Sequence, residues 1–431
     1  MFAKYMVGMT ISEKILAKSA GKNRVEPGEI IDANVDMAMS HDNAALVSKV
    51  FNEIGVKKVW NRDKIVIILD HRVPANNIKA AEAHKKIREF IRDQGIRYFY
   101  DAGEGICHQV MIEKGHARPG MLVVGTDSHT TTYGAIGAFS TGIGATEMAA
   151  VWATGKLWLK VPETIKINIT GDPPNLITSK DIILYIVGEI RSDGANYKAM
   201  EFYGETIDKM SIESRLTISN QSMEAGAKAA IIPPDEKTID YVKSRTKEPF
   251  EIIRSDDDAN YEKTLSFDVS NLEPMVACPH TVDNVKPVRE VARLSIDQAV
   301  LGSCTNGRLE DLELAAKIID GKNIHKDVRL IVVPASREIY LKAIEKGVIQ
   351  KLVKAGAIII NPGCGPCLGA HQGILASGER AITSTNRNFK GRMGSPDSEV
   401  YLASPATVAV SYTHLRAHET PEHLVCRLLL E

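Results

Sequence analysis

The sequence predicts an α/β protein of three units, and three observations carry that reading. Short runs of Val, Ile and Leu end abruptly on polar or thiol residues, and amphipathic helical patterns fall between them. The chain has 431 residues, enough for about three domains. Apolar runs of this kind suit strands covered on both faces of a parallel sheet. Strands that alternate with helices put ligands beyond the carboxyl ends of such sheets, where this chain carries its chemistry.

Taken in order, KIVIILDHR stops at Asp70 and His71, and NIKAAEAHKKIREFIRDQ follows with a helical period. MLVVGTDSHT stops at Asp127, Ser128 and His129. In VPETIKINITG, Ile165, Ile167 and Ile169 alternate with polar residues, which predicts a half-exposed strand. The charged stretch from Glu236 to Leu272, with its SDDDAN, reads as exposed helix and loop. DQAVLGSCTNG stops at Cys304, RLEDLELAAKIID and SREIYLKAIEKGVIQKLVKA read as helices, and AGAIIINPGCGPC stops at Cys364 and Cys367. The three units are placed at 1–162, 163–284 and 285–410, and no internal sequence repeat stands out. Residues 411–431 read as a non-native tail, because they follow a natural close, EVYLASPATVAV, and crowd His414, His418 and His423 together. Cys426 and these histidines are therefore kept out of the site.

Composition narrows the function. A net charge of −1, with 44% apolar and 25% charged residues, is that of an ordinary globular protein. It gives no basic excess for nucleic acid or an acidic membrane. No apolar run approaches the ~18 residues that cross a bilayer, and the N-terminus lacks the apolar core of a secretion signal. Six cysteines are too sparse for a disulfide scaffold, so a reducing cytoplasm, with cysteines kept for metal or catalysis, is expected.

The CGPC at Cys364–Cys367 has two incompatible chemistries, a redox dithiol or a pair of metal ligands. Cys304, at the end of another predicted strand, adds a third thiol that a dithiol switch does not need. Three cysteines suit zinc with a histidine such as His371, or a [4Fe–4S] cluster with one iron left without a protein ligand. Residues alone keep all three readings open. GIGATE at 142–147 lacks the full dinucleotide fingerprint, and its glycines read as points of close backbone packing. Cys107 and Cys278 lie off the ligand pattern and read as buried thiols.

From about Met9 to Val410 the chain resembles the aconitase superfamily, on VGTDSHTTTYGAIGAFSTGIGATE, GSCTNGRLEDL, NPGCGPCLGAH and TSTNRNFKGRMG. It is most similar to the branch that holds the large subunits of 3-isopropylmalate dehydratase and homoaconitase. The resemblance implies three α/β domains around a [4Fe–4S] cluster, with Cys304, Cys364 and Cys367 as its ligands. Asp70 and His71 match the pair that protonates the leaving group. His108, Asp127, His129 and Glu224 match buried imidazole–carboxylate pairings close to the cluster. Ser128, Asn220 and Asn386 match residues near cluster or substrate, and Arg387 and Arg392 suit the carboxylates of a dicarboxylate hydroxy-acid. The swivelling domain that carries the family's catalytic serine has no counterpart here, which implies a separate small subunit. The expected reaction is the isomerisation of 2- and 3-isopropylmalate in leucine biosynthesis, by dehydration and rehydration. Homoaconitase or dimethylmalate dehydratase is the alternative within the class, and a non-catalytic iron-sensing RNA-binding protein the alternative outside it.

Overall fold

A computed structural model describes residues 8–291 and 294–411. Most of the expected tail lies outside the described residues. Ser411 does not: it is buried as the last residue of the helix Pro405–Ser411, and its hydroxyl donates to the Thr407 carbonyl at 2.8 Å.

Each long apolar run forms a strand. Ile65–Ile68 is buried along its whole length as an interior strand of a five-stranded parallel sheet. That sheet runs in the order Tyr98–Tyr100, Ile65–Ile68, Met37–Ser40, Leu122–Gly125, Phe139–Gly142. Between two of its strands lies the helix Ile78–Gln94, which starts where the Asn77 side chain accepts from the Ala80 amide at 2.9 Å and ends at Gly95 with φ 67°. Its buried face holds Ala80, His84, Ile87 and Ile91 at helical spacing. Phe90 on the same helix stacks on Trp152 at 5.3 Å, which ties two helices together over one face of the sheet.

The second sheet runs Ala229–Ile231, Ala199–Tyr203, Thr164–Thr170, Lys263–Asp268, all parallel. Thr164–Thr170 alternates buried and half-buried residues, matching its isoleucine pattern. Lys263–Asp268 corrects the reading of 236–272 as helix and loop alone. It is an edge strand with only Phe267 buried, so a polar sequence supplies backbone pairing on one side and no apolar period.

The third sheet has seven strands. Five are parallel, in the order Ile358–Ile359, Arg329–Val333, Gln298–Gly302, Arg380–Thr383, Glu399–Ala403, and two antiparallel strands, Met275–Ala277 and Val285–Pro287, extend the far edge. Met275–Ala277 pairs with Glu399–Ala403, so this sheet draws on chain ahead of residue 284.

Numbered by chain order, the parallel strands of the first and third sheets both run 3-2-1-4-5, and the second runs 3-2-1-4. The chain thus winds the same way three times, with no sequence repeat to announce it. In such a sheet the crevice opens between strands 1 and 4, where the winding reverses.

Candidate active site

In the first sheet, strand 1 leads into His41 and Asp42, strand 2 into Asp70 and His71, and strand 4 into Asp127, Ser128 and His129. Asp42 organises the corner. Its carboxylate accepts from the backbone amides of Asp70 (2.9 Å), His71 (2.8 Å) and Arg72 (3.1 Å), and it lies 2.8 Å from His84 Nε2. The turn therefore holds Asp70 buried, with Oδ1 2.6 Å from His71 Nδ1 and Oδ2 accepting from the Cys107 amide at 2.7 Å. Burial opposes charge on His71, but Asp70, Cys364 and Asp127 outweigh it and raise the imidazole well above its usual value.

His71 Nε2 lies 3.6 Å from Asp127 Oδ2, and the other oxygen of Asp127 lies 2.8 Å from His108 Nε2. That same oxygen accepts from the His129 amide at 2.8 Å. His129 Nε2 is 2.8 Å from Glu224 Oε1, which also accepts from Arg387 Nε at 2.7 Å. Burial pushes Asp127 up, yet its three imidazole neighbours hold it well below the usual carboxylate range. The chain of contacts from Asp70 to Arg387 thus starts in the first sheet and ends in the third.

The third sheet supplies the thiols. Cys304 follows strand 1, Cys364 and Cys367 follow strand 3, and Asn386, Arg387 and Arg392 follow strand 4. All three cysteines are free; Cys304 and Cys367 are buried and Cys364 half-buried. Asn220 and Asn386 each aim a side-chain N–H at Cys304 Sγ, at 3.3 and 3.4 Å. Asn386 Oδ1 also lies 3.6 Å from Cys367 Sγ, and Arg392 Nη2 lies 3.8 Å from it. Burial pushes the Cys304 thiol up to about 11 and Cys364 further, whereas the Arg392 guanidinium outweighs burial and lowers Cys367.

The two sheets meet at their carboxyl ends: the Cys364 amide donates to the Asp70 carbonyl at 2.9 Å. Gly363 makes this possible, since a Cβ there would come 2.9 Å from that carbonyl oxygen. Gly142 of GIGATE plays the same part, as its Cβ would lie 2.6 Å from the Asp127 carbonyl oxygen. Ser128 sits at the rim, lining a cavity of about 320 Å³ with Asp127, Gly142 and Lys228.

The donor set discriminates among the metal readings. Among the described residues, the one group of three or more His, Cys, Asp or Glu ligand atoms within 4.8 Å of one another is His41, Asp42, Asp70 and His71. It contains no cysteine, so the thiols stand too far apart to share a single ion. His371 Nε2 lies 3.1 Å from the His71 carbonyl. Cys107 and Cys278 are free and buried.

Sequence reasoning missed several neighbours. His41 stacks on His71 with centroids 3.9 Å apart and planes 16° from parallel, and its Nε2 lies 3.1 Å from the Thr126 carbonyl. MSHD does end a strand, but MAMS is too weakly apolar to be read as one. Arg308 is 1% exposed and donates to the carbonyls of Cys304 (2.7 Å) and Thr305 (2.6 Å). Lys180 is fully buried in the first turn of a helix, where no sequence signal marks it.

The sequence model of the aconitase family (aconitate hydratase) matches residues 13–294 and 285–413. A protein named "probable methanogen homoaconitase large subunit", from Methanothermobacter thermautotrophicus, is 55% identical over 94% of this chain and 96% of its own. The 3-isopropylmalate dehydratase large subunit 1 of Methanopyrus kandleri is 53% identical over 94% of this chain and 97% of its own. The 3-isopropylmalate dehydratase large subunit of Aquifex aeolicus is 51% identical over 94% and 95%. The chain belongs to the aconitase family.

Proposed function

We propose that this chain is the large subunit of a [4Fe–4S] hydro-lyase that interconverts 2- and 3-isopropylmalate in leucine biosynthesis. The observation that carries this reading is the meeting of the carboxyl ends of two sheets at Cys364 and Asp70. It sets three free thiols beside a continuous Asp–His–Asp–His–Glu–Arg array. Three thiols too widely spaced for one ion, two of them beside side-chain amides, suit a cluster held by Cys304, Cys364 and Cys367. When bound, that group supplies a Lewis acid for the departing hydroxyl oxygen.

The protein's own residues supply the remaining steps. Asp70 fixes the His71 ring through Nδ1 and favours its protonated form, so that His71 Nε2 or its partners can pass a proton to the leaving oxygen. Asp127 hydrogen-bonds to the His108 ring and the His129 amide and lies 3.6 Å from His71 Nε2, so one carboxylate gathers the three histidines and keeps the donor oriented as charge moves. Glu224 grips Arg387 by Nε, which keeps the terminal nitrogens for a substrate carboxylate. Arg392 and Ser128 complete the anion contacts, and Asn220 and Asn386 face the sulfur side.

Residues 8–411 then make three α/β units, and a small subunit with the swivelling domain and the base for the C–H closes the site. The substrate is a small dicarboxylate hydroxy-acid. The charge balance favours neither nucleic acid nor membrane as a partner, no helix among the described residues is long and apolar enough to cross a bilayer, and we place the protein in the cytoplasm. A homoaconitase large subunit is the second reading, supported by the 55% identity to the protein of that name. Anaerobically reconstituted chain, paired with its small subunit, is offered 3-isopropylmalate and homocitrate in turn. Preference for the first supports the dehydratase and preference for the second the homoaconitase. Turnover of neither would overturn both.

A further inference from the structure

Lys180 sits where local rules forbid a lysine. It is fully buried, and it is the second residue of the helix Ser179–Ile190, at the positive end of the helix dipole. Its Nζ donates to Gln221 Oε1 at 3.0 Å, to the Thr385 carbonyl at 2.7 Å and to the Ser384 carbonyl at 3.4 Å. Three neutral oxygens satisfy the protons and leave the charge uncompensated. Among the described residues Lys180 makes no ion pair with a carboxylate. A buried cation without a counter-ion is strongly unfavourable, so a fold that keeps one has a use for the charge.

Arg308 repeats the pattern. Its guanidinium is buried on the carbonyls of Cys304 and Thr305 and on Gln109 Oε1 at 3.0 Å, and it too makes no carboxylate ion pair among the described residues. Both cations bear on the same loops. Arg308 holds the backbone of Cys304, while Lys180 holds the backbone just before Asn386, whose amide faces Cys304 Sγ. Burial pulls the Lys180 ammonium down to about 8, and the charges that resist the pull are led by Cys304 and Cys367.

We infer that Lys180, seconded by Arg308, is the built-in counter-charge for an anionic group bound by the three thiolates, and sets that group's reduction potential and retention without touching substrate. This rests on the cluster reading above. One-electron reduction adds a negative charge to such a group, and a fixed buried cation favours the reduced form. The amides of Asn220 and Asn386 also face the sulfur, but they bring no net charge. Lys180 is therefore a positioning residue of an electrostatic kind.

Two substitutions separate charge from anchoring. Lys180→Gln removes the charge and keeps an N–H donor for the Thr385 carbonyl, whereas Lys180→Met removes both. The full chain is reconstituted anaerobically with iron and sulfide, and the midpoint potential is read from the paramagnetic reduced state during a mediated titration. Both variants should show a more negative potential than the parent chain, at equal iron per chain. Loss of iron from a Lys180→Gln variant that keeps its fold by circular dichroism also supports the inference. An iron-loaded Lys180→Gln variant with the parent's potential overturns it, and so does unfolding of both variants, which makes Lys180 a structural tie. A parent chain that binds no iron at all sinks the cluster reading itself, an outcome visible before any variant is made.

Discussion

The first and third sheets share a winding and differ in chemistry. Each places its functional side chains after strand 1 and after strand 4, but the first adds an acid–imidazole pair after strand 2 and the third adds two thiols after strand 3. The first-sheet side is hydrogen-bonded into its working charge state. Asp127 is held low and His71 high by side chains already in contact. The third-sheet side is not, since burial pushes Cys304 and Cys364 towards the neutral thiol. The lesson is that folding alone sets the charges of one half of the site, while in the other Cys304 and Cys364 would need a bound cation centre to reach the thiolate form and only Cys367, beside Arg392, is already favoured towards it.

This contrast can be broken from either side. The largest effect is expected from Cys304→Ser, which should abolish broad absorbance near ~400 nm and all measurable turnover. The acid–imidazole array should survive, so the melting temperature of the iron-free protein should stay near that of the parent. A variant that keeps its iron would mean that Cys304 is not a ligand.

Asp70→Asn attacks the other half. It should leave iron content unchanged and lower kcat by ~10²–10⁴-fold, the usual range for a disabled proton donor. A fall confined to KM would show that Asp70 only shapes the binding site.

Arg387→Lys tests the junction between the two halves. A lysine keeps the charge but not the fork that serves Glu224 and a carboxylate together, so KM should rise by about 10-fold or more, with a smaller change in kcat. Equal KM values for the two proteins would remove Arg387 from the anion site.

The smallest effect belongs to His116, away from both halves, and sharpens the claim that the first unit is set by folding alone. Burial, with Arg118 and Lys114 adding to it, lowers this imidazole to about 4, and its Nε2 lies 2.7 Å from the Tyr100 hydroxyl. The unfolded chain binds this proton near pH 6.5 and the folded chain only near pH 4. Its stabilising contribution is therefore complete above pH 6.5 and lost as pH falls towards 4. The loss amounts to roughly 3–4 kcal/mol at most, at about 1.4 kcal/mol per pKa unit. In His116→Asn the drop in melting temperature over that interval should be shallower than in the parent, and an identical pH profile would refute the assignment.

Much of the site was legible because strand-end residues are a local signal. An apolar run that stops at Asp70-His71, Asp127-Ser128-His129, Cys304 or Cys364 declares both the strand and its cargo within a few residues. Lys263–Asp268 was illegible because an edge strand needs only backbone pairing and shows no period in its side chains. His41 escaped because Met37–Ser40 is short and weakly apolar, though it is buried throughout.

The sequence by itself determined which chemical groups stand at strand ends, since alternation, strand length and capping are encoded within about a turn or two of chain. Only the tertiary structure decided which of those ends meet. The threefold winding, the contact of Cys364 with Asp70, the stacking of His41 on His71, and the burial of Lys180 on the Thr385 carbonyl and of Arg308 on the Cys304 carbonyl depend on how whole sheets pack. The electrostatics that follow from them depend on how much water that packing excludes, a quantity no short stretch of sequence contains.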